Sequence, residues 1–542
     1  MIVTLRIKFV IFLILQLFGT NVVSVEVDNS KRKCTKKLTE LFDPATTIVY
    51  GPGIESPTTV FPVRYFYVQL VHNDGTNVTV SPCDDLVTVR VHGTSHGEMR
   101  FPECRAASAV IDRHDGSFIV RYRLVSSCKV LLISLTDSFG RNIARSPYRF
   151  EADVTPFLSD ACKCPVALDS CSDQLSCPDS YQQVEKDIEP WPVGSVNFSQ
   201  ALIEAFERWG KHPGAHSYCH YAIKDNEVYR KCYGEHVGFK MFSDAILLSL
   251  LRKVKLSDTQ FLMNLGDWPL EGSRRRTNMT IPVISWCGSD DTKDIILPTY
   301  EITEATLEMM GRQSLDMQSI QGWTGPEWKD KIDRAFWRGR DSRQERLRLV
   351  DLARKHPTLL EANITRFFFF RDKIKQYGPE MPSVPFNEFF KYKYQINVDG
   401  TVAAYRFGYL LAGDSVVLKQ NSPFYEHFYS DLKPWVHYIP FERDLSDLID
   451  KIKWAMENEN KVLDIVRNAQ NYARNNLQPK DIFCYHIKVL EKYTKLLSKQ
   501  SVQNLSIDSM EHVQQHASRS RCHCSILKNS ELSPSVTPKT EL

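Results

Sequence analysis

Between about Thr46 and Val154 the chain alternates short apolar runs with turn residues. The runs are Tyr65–Val71, Leu86–Val91, Ser117–Arg123 and Lys129–Leu135, punctuated by Asn73-Asp74-Gly75 and Asp115-Gly116. This spacing predicts an antiparallel, immunoglobulin-like sandwich of about 100 residues. From about Pro190 to Gln500 the period changes. Apolar strand candidates (Gln260–Leu265, Ile281–Trp286, Arg366–Phe370, Ser415–Leu418, Val436–Ile439) alternate with helical stretches such as Phe198–Trp209, Gln344–Lys355 and Asp444–Glu457. An alternation this long predicts an α/β region of two doubly wound, Rossmann-like halves facing a cleft. Phe367–Phe370, between Arg366 and Arg371, reads as a buried strand. Residues 500–542, rich in Ser, Gln and His, predict a flexible tail.

Composition narrows the function class. The 542 residues carry 68 Lys+Arg against 65 Asp+Glu, a net charge of +3, which excludes nucleic-acid binding driven by bulk charge. A hydrophobic share of 42% is that of a globular protein with sizeable cores. The two ends set the compartment. A basic start and the apolar run Phe9–Phe18 lead to Val22-Val23-Ser24, so residues 1–24 read as a cleaved signal peptide too short to anchor as a membrane span. The chain stops at Lys539-Thr540-Glu541-Leu542, a variant of the retrieval signal of the endoplasmic reticulum lumen with Thr540 in place of an acid. Sequons at Asn77, Asn197, Asn278, Asn363 and Asn504 suit the same route. In that compartment fourteen cysteines predict disulfides. A connector over residues 160–180, with Cys162, Cys164, Cys171 and Cys177, reads as disulfide-fixed rather than as a zinc knot.

Three segments can carry chemistry. In Trp337-Arg-Gly-Arg-Asp-Ser-Arg343 an apolar strand end runs into a loop and then a helix. Ser342 and Glu345 have capping-box spacing, Gly339 would let an anion approach the backbone, and Arg340 and Arg343 flank the helix start, a set suited to a diphosphate. A solvated basic helix start has the same pattern. In Gly400–Gly408, Ala403 and Ala404 permit close approach while Tyr405 and Arg406 offer a ring and a fixed charge. A nucleotide sugar fits such a turn, as does plain helix packing. In Asn264-Leu-Gly-Asp-Trp-Pro269 a strand ends near Asp267, which can serve as a general base, and Trp268, which can stack on a sugar, although Asp before Trp-Pro is also a common turn.

Together these words resemble a known family. Leu265-Gly-Asp-Trp-Pro269, Gly322-Trp-Thr-Gly-Pro326, Phe336-Trp-Arg-Gly-Arg340, Ala403-Ala-Tyr-Arg406 and Leu432–Pro440 resemble the protein O-glucosyltransferases of glycosyltransferase family 90, in order over residues 190–497. Tyr50-Gly-Pro-Gly53, Asp112–Phe118 and Ala144–Tyr148 make residues 46–154 resemble a filamin-type repeat. Repeat, catalytic region and tail together resemble the 2/3, or KDEL-motif-containing, subgroup. The resemblance implies a two-lobed GT-B domain that moves glucose with inversion from UDP-glucose to serines of folded EGF-like repeats, such as those of Notch-type receptors. It implies Asp267 as base, Arg340, Arg343, Ala403, Ala404 and Arg406 in donor motifs, and Trp323 near the acceptor. The tail would engage the retrieval receptor. With no Asp-x-Asp pair in the sequence, no metal and no cofactor beyond the donor substrate are expected. Two alternatives stay open: xylose as the donor sugar, and a non-catalytic lumenal binding or quality-control protein.

Overall fold

The structure, a computed structural model, describes residues 33–39, 41–58, 63–95, 103–152, 156–211, 216–273, 279–307, 310, 315–322 and 325–514. The expected signal peptide, Asn278, Trp323 and Lys539–Leu542 lie outside the described residues. The N-terminal strands are β1 (Ile48–Tyr50), β2 (Arg64–Gln69), β3 (Val87–Ser95), β4 (Ala106–Asp112), β5 (Ser117–Leu124), β6 (Cys128–Asp137) and β7 (Tyr148–Glu151). They form two antiparallel sheets, β1-β2-β5-β4 and β3-β6-β7. Alternation does the work. Phe66 and Val68, Val120 and Tyr122, and Leu131, Ile133 and Leu135 all turn into one core, and their in-between neighbours face outward.

The α/β region holds two sheets. The first contains β8 (Tyr218–Lys224), β9 (Glu227–Tyr233), β10 (Thr259–Asn264) and β11 (Val283–Ser285), then, after β12 (Gly288–Ser289), β13 (Ile295–Ile296). It is parallel only over β10, β11 and β13. The β8–β9 turn is Asp225-Asn226, at φ 52° and 61°; two left-handed residues make the tight hairpin turn that forces antiparallel pairing. The second sheet contains β14 (Ile332–Arg340), β15 (Leu360–Arg366), β16 (Tyr392–Asn397), β17 (Val416–Gln420) and, after β18 (Phe424–Tyr425), β19 (Ile439–Phe441). Its order is β15-β14-β16-β17-β19 and it is parallel throughout. A short ribbon pairs β12 with β18 and so joins the two halves.

Helices α1 (Lys240–Leu251), α2 (Tyr300–Leu307), α3 (Gln344–Lys355), α4 (Phe407–Ala412), α5 (Glu459–Asn476) and α6 (Pro479–Leu496) cover these sheets. After α5 the chain returns to the first half, where Phe483, Ile487, Leu490 and Tyr493 of α6 join the core of the first sheet. The sandwich is bolted to this body: Arg121 reaches Asp316 at 3.1 Å and Arg474 of α5 reaches Asp115 at 2.6 Å.

The first half is a mixed sheet rather than a doubly wound parallel one, and the strand expected at Val436–Ile439 begins at Ile439; four more expectations are corrected. The Phe367–Phe370 strand is a loop, because β15 uses the preceding residues and ends at Arg366; Phe368 and Phe369 are 56% and 58% exposed. The tail does not begin at 500: Lys499–Gln503 is helical and β20 (Glu511–Val513) pairs with β9, where Val513 is buried. Cys171 is a free buried thiol, pushed up to about 11 by that burial, although Cys162 and Cys164 are oxidised and Cys177 bonds Cys484. The fourth, the Ser342–Glu345 capping box, belongs to the site below. Among the described residues no helix is long and apolar enough to cross a membrane.

Candidate functional site

The loop carrying Asp267 is shaped by two buried side chains of the first sheet. Asn264, the last residue of β10, donates to Trp268 O at 2.7 Å and to Ser285 Oγ at 3.0 Å, and its Oδ1 accepts from Gly266 N at 2.9 Å. Asp294 accepts from Leu270 N, Glu271 N and Ser285 Oγ at 2.7, 2.9 and 2.6 Å, and burial pushes its carboxyl up to about 6. Both ends of the turn are thereby fixed. Asp267 Oδ1 is shut off from solvent and has no hydrogen-bond partner, and desolvation raises the carboxyl above the usual carboxylate range. A carboxylate held this way is a better proton acceptor than an exposed aspartate. Trp268 beside it is 48% exposed and stacks edge-on against Phe424 of β18 at 5.6 Å.

The second sheet supplies the positive charge. Arg343 donates to Thr401 O at 3.1 Å, and its guanidinium lies 4.9 Å from the Phe424 ring and 5.7 Å from the Trp268 ring. Arg406 donates to Arg338 O at 2.7 Å and lies 5.7 Å from the Phe389 ring. Burial pulls Arg406 down while Glu301 of α2 opposes that. Glu301 and Tyr300 also sense Asp267, and Tyr300 senses Arg340. Tyr405 packs edge-on against Tyr300 at 5.6 Å, with a buried hydroxyl that has no hydrogen-bond partner. The fold thus gathers Asp267, Trp268, Arg340, Arg343, Tyr405 and Arg406 at the carboxyl ends of strands from both sheets, where open α/β sheets hold ligands.

Several details differ from expectation. Ser342 does not cap α3: Arg343 occupies the cap position without a side-chain bond, and Ser342 Oγ instead accepts from Arg346 at 3.4 Å. Glu345 faces Arg443 at 3.8 Å. The first N–H groups of α3 are thus left uncapped beside Arg340 and Arg343. Gly339 is buried in β14, and the space its Cβ would fill holds the Trp337 indole at 2.6 Å, a packing reason for the glycine. Ala403 and Ala404 are buried, Ala403 against Val402, Cys287 and Phe424.

Sequence reasoning missed the struts. Arg346, 5% exposed, donates to Asp399 O, Arg340 O and Val398 O at 2.6, 3.0 and 3.2 Å, tying the two basic loops together. Glu426 is buried with its carboxyl held well up by desolvation and accepts from Tyr429 OH at 3.1 Å. Neither lies in a local pattern, and Glu301 and Tyr300 likewise join the site only through the fold. Among the described residues the grouping with metal-holding spacing is Asp84, Asp112 and His114, in the sandwich.

Comparison with known proteins agrees with this architecture. The profile of glycosyl transferase family 90 matches residues 172–537, and the Filamin/ABP280 repeat profile matches residues 41–149. The chain is 49% identical to protein O-glucosyltransferase 2 of Danio rerio over 471 residues, which is 86% of this chain and 90% of the relative. It is 46% identical to protein O-glucosyltransferase 3 of Homo sapiens over 486 residues, 88% of this chain and 92% of the relative. A more distant relative, protein O-glucosyltransferase 1 of Homo sapiens, is 29% identical over 349 residues, 60% of this chain and 82% of that protein. A profile match over residues 172–537, together with near-half identity along most of the length, makes this chain a member of glycosyltransferase family 90 that carries a filamin-type repeat in front.

Proposed function

We propose that the chain is an inverting protein O-glucosyltransferase of GT-B architecture, moving glucose from UDP-glucose to serine hydroxyls of folded EGF-like repeats in the endoplasmic reticulum lumen. The family and the names of the relatives, protein O-glucosyltransferases 2 and 3, support the reaction class. The observation that carries the mechanism is the half-buried Asp267, whose Oδ1 has no partner of its own and which acts electrostatically on Tyr300 and Glu301, the same two side chains on which Arg340 and Arg406 of the opposite half act.

The step is a single in-line displacement. Asp267 takes the serine proton as the serine oxygen bonds to the anomeric carbon, and the bond from that carbon to the UDP oxygen breaks with its electron pair leaving on UDP. Charge developing on the diphosphate meets Arg343, Arg406 and Arg340 and the uncapped N-terminus of α3. These groups supply fixed positive charge, so the reading is metal-independent. Trp268 and the segment containing Trp323 would face the acceptor. The test is mass spectrometry of a folded EGF-like repeat after incubation with the protein and UDP-glucose in chelator. A serine-linked hexose supports the reading. No transfer from UDP-glucose, with transfer from UDP-xylose instead, would replace glucose by xylose. No transfer from either would leave a binding protein.

A further inference from the structure

The four consecutive phenylalanines after β15 have an arrangement the catalytic site does not use. Asp341, 0% exposed, follows Arg340 at the end of β14, and its carboxylate accepts from three successive amides. Phe368 N lies at 2.8 Å, Phe369 N at 3.2 and 3.0 Å from the two oxygens, and Phe370 N at 2.6 Å. Phe367 is buried and Phe370 packs against the core of the second sheet, which anchors both ends of the loop. Between them Phe368 and Phe369 stand more than half exposed, edge to face at 5.6 Å, with the Arg371 guanidinium 5.4 Å from the Phe368 ring. A loop that merely turned would be served by polar side chains here. Instead a buried charge is committed to holding two apolar rings in water.

We propose that Phe368 and Phe369 form a docking ledge for the folded acceptor protein, received through an apolar surface with an acidic rim. The inference rests on the acceptor being a protein module, as proposed above. Three observations name the occupant. Arg340 and Arg366 are paired in register on adjacent parallel strands, so the ledge starts next to the donor loop, on the edge that a module delivering its serine to that loop must cover. The ledge is flanked by exposed Arg366, Arg371, Lys373 and Lys375 against two acids, Asp372, which pairs with Lys373 at 3.6 Å, and Glu380, which accepts from Phe367 N at 2.8 Å; the surplus of positive charge, with Arg366, Arg371 and Lys375 outside that pair, calls for an acidic rim on the partner. A second copy of this chain would bring like charge against like charge across a two-fold contact. The rings point outward with more than half their surface in solvent, which suits an interface anchor rather than the enclosed slot that a nucleotide base needs.

The test is a Phe368→Ser/Phe369→Ser double variant, with Arg371→Glu/Lys375→Glu as a second. Each is assayed for KM of a folded acceptor, KM of UDP-glucose, acceptor-free UDP-glucose hydrolysis, and acceptor binding by interferometry. The ledge predicts that acceptor KM and binding weaken about tenfold or more in both variants while the two donor measurements stay unchanged. It also predicts that wild-type acceptor KM rises with ionic strength. Unchanged acceptor affinity overturns the ledge alone, and a rise in UDP-glucose KM would make it a donor subsite, which also overturns it. Wild-type protein that neither binds nor modifies any folded acceptor overturns both this inference and the function on which it rests.

Discussion

Replacing Arg346 by methionine tests whether the two basic loops are held together from beneath. The side chain is 5% exposed, stacks on Trp337 at 5.3 Å, and spans from the end of β14 to the turn after β16. Methionine keeps much of the stem volume and removes three bonds to carbonyl oxygens. Charged hydrogen bonds contribute about 1.5–3 kcal/mol each, so roughly 5–9 kcal/mol of gross interaction disappears. Against this, burial pulls the guanidinium down to about 9 from 12.5, a desolvation cost on the order of 5 kcal/mol that the variant no longer carries. The difference is a net destabilisation of about 0–4 kcal/mol, read as a shift in the urea midpoint with unchanged slope. Because the lost bonds fix Arg340 and the Gly400 turn, UDP affinity by calorimetry should fall about tenfold or more although Arg346 is too buried to line the cleft. Arg346→Lys, able to reach part of the same carbonyl set, should fall between. UDP binding within twofold of wild type in Arg346→Met would refute the strut, whatever the stability change.

Three further outcomes are expected. Opening the Cys177–Cys484 bridge, which links positions 307 residues apart, with Cys177→Ala/Cys484→Ala should cost about 2–5 kcal/mol in reversible unfolding. His427 is held neutral at about 3 against 6.5, so its contribution is complete above pH 6.5 and is lost as pH falls towards its folded value. His427→Phe, which keeps the edge contact with Tyr485, should therefore lose about 2–3 kcal/mol less stability than wild type between roughly pH 6.5 and 4.5. Asp267 must be ionised to accept a proton, and desolvation raises its pKa, so the acid limb of kcat/KM should lie above the ordinary carboxylate value of 3.8; a limb at or below it would show a solvated carboxylate.

Much of this architecture is written locally. The sandwich strands follow a two-residue alternation that any segment carries within itself, and β2, β3, β5 and β6 fall on the predicted runs. Asp267 and the Arg340–Arg343 loop were also legible, because strand-to-loop transitions mark the edge where ligands bind. What escaped is non-local. Asp341 binds amides 27 to 29 residues downstream, so the phenylalanine run reads as a strand until the loop's own partner is known. The Ser342–Glu345 spacing promised a cap, but Arg346 competes for the serine oxygen. The antiparallel half of the first sheet was missed because the β8–β9 hairpin turns on Asp225-Asn226 rather than on a glycine. The apolar run Val436–Ile439 suggests a strand too early in the chain: Lys433–His437 makes a tight loop with Trp435 at φ 64°, and the strand starts at Ile439.

In the proposed mechanism Asp267 is the base and the opposite sheet holds the leaving group. Asp267→Asn separates the two, since it removes the proton acceptor and keeps the side chain's size. The measurement is paired on one preparation: serine-linked hexose on a folded EGF-like repeat by mass spectrometry, and UDP affinity by calorimetry. Transfer should fall by about a thousandfold or more with UDP affinity within about threefold of wild type. Transfer that survives, or UDP binding that is lost along with it, would contradict that mechanism and make Asp267 a structural residue of the β10 turn.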